Sequence, residues 1–76
     1  MYLAIVLVNT KLGREKEVIG WLRAIPVVKY AYEVYGLYDI ILKLEANSGK
    51  ALRQAVTGIR RVAGVRSTLT MIVTSE

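Results

Sequence analysis

Tyr2-Leu3-Ala4-Ile5-Val6-Leu7-Val8 is an unbroken apolar run of strand length, and a run without polar alternation marks a strand covered on both faces. It belongs in the middle of a sheet. Asn9 and Thr10 can cap a helix, and from Gly13 onward Val18, Ile19, Leu22 and Ile25 recur at helical spacing with charges between them, until Pro26 ends the pattern. Trp21 could belong to the core or to a partner surface, and for a lone aromatic beside a helix stripe the core is the default. Two β-prone segments follow, Val27–Tyr35 and Tyr38–Glu45, joined by Gly36-Leu37. A link of this kind with Gly first suits a type II′ hairpin turn, which needs φ > 0 at Gly36. The register then sets Tyr35 opposite Tyr38 and Val34 opposite Asp39.

A second helix is predicted from about Ser48, with Asn47 or Ser48 as its cap. Ala51, Leu52, Ala55, Val56, Ile59 and Val62 form its apolar stripe, and Lys50, Arg53, Gln54, Arg60 and Arg61 the other side. Gly20 and Gly58 each cost about 1 kcal/mol relative to Ala inside a helix, a cost that close packing on a sheet would explain. Gly64 reads as an αL cap. Val65–Thr74 reads as a last strand, with Val65, Ser67, Leu69, Met71 and Val73 on one face and Arg66, Thr68, Thr70 and Ile72 on the other.

Strand, helix, strand, strand, helix, strand is the split βαβ order, an α+β ferredoxin-like sandwich. Right-handed crossovers give an antiparallel sheet in the order 4-1-3-2 with both helices on one face. The hairpin places Ile40, Leu42 and Leu44 toward those helices. Tyr30, Tyr32, Val34, Asp39, Ile41 and Lys43 face the other way, where the first strand is also apolar. A second copy stacked sheet to sheet, in a dimeric α/β-barrel-type assembly, is the expected cover.

At 76 residues the chain is one domain and buries only about 60% of its unfolded surface, which also favours self-association. It contains no Cys and no His, so disulfides, thiol nucleophiles and imidazole bases are excluded. No enzymatic activity and no cofactor or metal is expected. The net charge of +5 is scattered along the sequence, and its one basic pair, Arg60-Arg61, suits the negative pole of a helix end. The first strand is too short to span a bilayer and lacks the flanks of a secretory signal, so the chain reads as a complete intracellular protein, cytoplasmic and without a membrane partner.

Gly36 alone is explained by turn chemistry. Asp39 is harder to dismiss as a solvated edge residue, because Asp is depleted in strands and this one precedes Ile40-Ile41-Leu42. Val34-x-Gly36-x-Tyr38-Asp39-Ile40-Ile41-Leu42-Lys43 and Gly64-Val65-x-x-Thr68-x-Thr70-x-Ile72-Val73, correctly spaced on a split βαβ frame, resemble the effector-sensing (RAM) domain of the Lrp/AsnC family of transcription regulators. The resemblance covers nearly the whole chain. It implies that Gly36, Leu37, Tyr38 and Asp39 contact a ligand: the Gly turn would let an α-carboxylate approach backbone N–H groups, and Asp39 would receive an α-ammonium. Thr68 and Thr70 match the final-strand pattern, although strand propensity explains two Thr equally well. Asp39→Ala is then expected to abolish effector binding with the fold intact.

The resemblance further implies a homodimer, rings of dimers such as an octamer, and an amino acid or related small effector held between dimers. The helix-turn-helix domain of full-length regulators has no counterpart in residues 1–76, so direct DNA binding is not expected. Regulation of transcription or of amino-acid metabolism would be indirect, through co-assembly with full-length Lrp/AsnC-type regulators or by buffering their effector. Two rivals share the fold. An RNA-binding module would carry aromatics on its central strands, and here Leu3–Val8 and Ile40–Leu44 have none. A small dimeric α/β-barrel enzyme would draw on Asp39, Glu33 and the tyrosines, which offer no pair of carboxylates and no nucleophile with its base.

Overall fold

The computed structural model describes residues 1–74. Its elements are β1 (Tyr2–Thr10), α1 (Glu15–Arg23), β2 (Val28–Glu33), β3 (Ile40–Ala46), α2 (Gly49–Arg60) and β4 (Val65–Ile72). The strands form one antiparallel sheet in the order β2-β3-β1-β4, which is the 4-1-3-2 order expected from the sequence.

Alternation decides what each face buries. Ala4, Val6 and Val8 of β1 and Ile40, Leu42 and Leu44 of β3 are fully buried beneath Val18 and Leu22 of α1 and Ile59 of α2. Each large aliphatic side chain removed from water in this way contributes about 1.5–3 kcal/mol. On the opposite face Leu3, Ile5, Leu7 and Ile41 are half-buried, while Tyr30, Tyr32, Leu69 and Met71 are exposed. The rings of Tyr30 and Tyr32 stack with centroids 6.1 Å apart, and the Lys43 ammonium lies 5.6 Å from the Tyr30 ring centre. No described residue covers this apolar face.

The helices are tied down locally. Ser48 caps α2, its Oγ accepting from the Ala51 N–H at 3.0 Å. Arg23 donates to the Ala31 carbonyl at 2.9 Å, and Lys16 meets Glu33 at 3.0 Å, so two contacts fix α1 over β2.

Several expectations need correction. Asn9 and Thr10 belong to β1, and α1 begins only at Glu15, with no side-chain cap at Arg14. Trp21 is 60% exposed because it points away from the sheet. A Cβ at Gly20 or Gly58 would meet nothing within 4 Å, so helix-on-sheet packing does not account for either glycine. Val65 packs against the core, since the register shifts between Asn9 and Thr10 and moves it off the face of Leu69 and Met71. The expected Val34–Asp39 register continues the Glu33–Ile40 pair, with the Val34 N–H donating to the Asp39 carbonyl at 2.9 Å. The strands nevertheless stop at Glu33 and Ile40, leaving a wider loop, and Gly36 has φ 150° where a type II′ turn needs about +60°.

Gly64 does require its glycine. Its φ is +96°, and a Cβ there would lie 2.7 Å from Val18 Cγ2. The carbonyl of Gly64 also accepts from the Lys11 N–H at 2.8 Å, joining the turn after α2 to the end of β1.

Candidate functional site

Asp39 stands at the rim of the sheet where the β2–β3 loop meets the end of β1. Its backbone N–H donates to the Val8 carbonyl at 3.0 Å, which fixes the residue against the central strand. Its side chain then reaches past that strand's end: Oδ2 accepts from the Thr10 N–H at 2.8 Å and from Thr10 Oγ1 at 3.3 Å. Thr10 is only 6% exposed, so these bonds satisfy polar groups that water does not reach freely. Asp39 is therefore a fastener of β1 as well as a candidate ligand contact. Among the described residues no hydrogen bond occupies Oδ1.

A cleft of about 500 Å³ opens beside this contact. Leu37 and Asp39 from the hairpin loop, Asn9 and Thr10 from β1, and Arg66 and Ser67 from β4 contribute to its wall, together with Leu12 and Glu15 from the loop and first turn of α1. Asn9 Nδ2 donates to Ser67 Oγ at 3.3 Å across the β1–β4 pair, and Glu15 Oε1 accepts from the Gly13 N–H at 3.2 Å. The cleft thus combines two carboxylates, one guanidinium and neutral polar groups, and a small zwitterion would find partners for both of its charges.

The structure brings only some of the six sequence candidates together. Gly36, Leu37, Tyr38 and Asp39 share one loop, with Gly36 and Leu37 exposed and Tyr38 and Asp39 half-buried. Of these, Leu37 and Asp39 line the cleft. Thr68 and Thr70 lie elsewhere: they pair with Val8 and Val6, whose side chains face the helices, and so sit on the helix side of the sheet. Thr70 Oγ1 is buried without a hydrogen-bond partner among the described residues, beside a separate cleft of about 310 Å³ beneath α2. Asn9, Thr10, Glu15 and Arg66 escaped the sequence reading. The change from an apolar run to Asn9-Thr10 was the one local signal, and it read equally well as a helix cap.

A family model described as the Lrp/AsnC ligand binding domain matches residues 3–76. Among curated proteins, the HTH-type transcriptional regulator FL11 of Pyrococcus horikoshii is 35% identical over 71 residues, 93% of this chain and 47% of that protein. The homocitrate synthase of Sulfurisphaera tokodaii is 48% identical over 52 residues, 68% of this chain and 11% of the enzyme. The chain therefore spans about half the length of the regulator and about a tenth of the synthase. Among solved structures, a hypothetical protein of Pyrococcus horikoshii superimposes with a TM-score of 0.91 at 44% identity, covering 100% of this chain and 93% of that one.

Proposed function

This chain belongs to the Lrp/AsnC ligand-binding domain family, and on that premise we propose that it is a sensor of free amino acids or close analogues, holding its ligand at the hairpin cleft. The observation that carries the reading is the mixed-charge cleft around Asp39, whose Oδ2 is bound to Thr10 while Oδ1 remains open. In this reading Oδ1 and Glu15, which both line the cleft, take an α-ammonium. Arg66 takes the α-carboxylate, and Leu37 supplies an apolar wall for a side chain.

The ligand's effect passes to assembly. The exposed sheet face of Ile5, Leu7, Ile41, Leu69 and Met71 pairs with a second copy, and these dimers join further into rings at their hairpins. The partners are thus a second copy of the chain, an amino-acid effector and relatives of the type of FL11, an HTH-type transcriptional regulator. Within residues 1–74 no helix is long and apolar enough to cross a membrane. The setting proposed is the cytoplasm, and the role is regulatory, without catalysis.

Isothermal titration calorimetry with each of the standard amino acids tests the reading. A saturable heat for at least one of them, lost in Asp39→Asn, is expected. Heats no larger than dilution for the whole panel would remove the proposed ligand class.

A further inference from the structure

The outward side of the helical layer carries features that neither the sheet face nor the hairpin cleft uses. Residues 46–76 hold five basic residues and one acidic residue, so four of the five net positive charges lie in this part of the chain. Lys50, Arg53, Arg60 and Arg61 lie on or just beyond α2, a helix with no acidic residue. None of them forms an ion pair among the described residues, whereas the three ion pairs present, Arg14–Glu17, Lys16–Glu33 and Lys43–Glu45, all use residues before Ala46.

Beside these cations runs an apolar groove of about 580 Å³, walled by Trp21 and Ile25 on one side and Ala55, Gly58 and Val62 on the other. The carboxylate at its end, Glu17, is already engaged by Arg14 at 2.9 Å, whose hydrogen bond and charge hold it below the usual carboxylate range. A basic shelf lined by Lys50, Arg53 and Arg61 adjoins the groove and shares Gln54 and Gly58 with it. Two features of the groove work against the isolated fold. Trp21 is left 60% exposed, and Gly58 is a poor helix former in the interior of α2. A Cβ at Gly58 would meet nothing within 4 Å, so nothing inside the chain requires the glycine.

We infer that this groove docks an acidic amphipathic helix of another protein, which sets its apolar stripe on Trp21, Ile25, Ala55 and Val62 and its carboxylates against Arg53, Arg61 and Lys50. Small side chains at Ala55 and Gly58 let a helix approach closely, and the bordering cations select its charge. A nucleic acid would satisfy the cations and leave the apolar groove unfilled. A second copy, docking α2 against α2, would set like charges together.

Trp21 is the only tryptophan, so its emission reports on the groove alone. The full chain is titrated with a fluorescein-free synthetic helix of about 18 residues, long enough to hold helical structure once stapled, with Leu at helical spacing and Glu elsewhere. A saturable blue shift that weakens with added salt is expected, with affinity reduced at least about tenfold in Gly58→Leu and in the double variant Arg53→Glu, Arg61→Glu. Gly58→Leu projects into open space and replaces a poor helix former, so the variant folds. No shift, or a shift indifferent to Gly58→Leu, overturns the proposal. So does an equal response to a scrambled peptide of the same composition or to a DNA or RNA oligonucleotide. Emission that changes with protein concentration alone would make a second copy the occupant and would also overturn it.

Discussion

Asp39→Ala removes the acceptor of two hydrogen bonds to Thr10, and the Thr10 N–H, at a residue only 6% exposed, has no replacement within the sheet. Leaving a buried donor unpaired costs about 1–3 kcal/mol. A domain of this size has a total stability on the order of 4–11 kcal/mol, so the variant should be visibly weakened, contrary to the expectation from sequence that it leaves the fold intact. Asp39→Asn behaves differently. Its amide oxygen still accepts from Thr10, at a loss of about 1 kcal/mol for the missing charge, while the attraction for an α-ammonium is gone. Urea unfolding at fixed protein concentration should therefore give midpoints in the order wild type, Asn, Ala with a common slope, and calorimetry should show amino-acid affinity lost in both variants. An alanine variant as stable as wild type would refute the fastening role of Oδ2. Full affinity in the asparagine variant would refute the ligand role of the carboxylate.

Other substitutions probe the remaining parts of the structure. Ile5→Glu and Ile41→Glu place charges on the uncovered sheet face and should each convert the proposed dimer to a monomer, which light scattering reads directly. Gly64→Ala should destabilise by about 1–3 kcal/mol, because of the positive φ and the 2.7 Å approach to Val18, whereas Gly58→Ala should stabilise by up to about 1 kcal/mol; thermal melts of the pair compare them. Thr70→Val removes a buried hydroxyl that lacks a partner and should leave stability unchanged or raise it, with denaturant midpoints as the check.

The strand order and the facing of β1 and β3 were legible because a buried strand writes a continuous apolar run and a hairpin register follows from its turn. The Val34–Asp39 register survived even though the loop widened, since pairing farther along, from Glu33–Ile40 to Tyr30–Lys43, holds it. The default of a core Trp21 fails because an amphipathic stripe defines a buried face without saying which flanking residue turns outward. Val65 changed faces through a bulge, and bulges leave little trace in alternation. The site was harder to read: Asp39 was visible as an anomaly of strand chemistry, but its partner Thr10 lies 29 residues away and meets it only after the sheet closes. Thr68 and Thr70 matched a motif, and their facing shows that the match in β4 sits beneath the helices.

The pairing of Ala4 with Ile72 bears on how this molecule is made. Of the four strands β1 is synthesised first and is the greasiest, yet both of its neighbours follow later in the sequence, β3 and then β4. Until then the nascent segment has no edge to join, and such distant pairings are slow to form and prone to aggregate. Translation stalled before Ile72 should yield a protease-sensitive intermediate, and resistance there would mean that the sheet can close without its last strand.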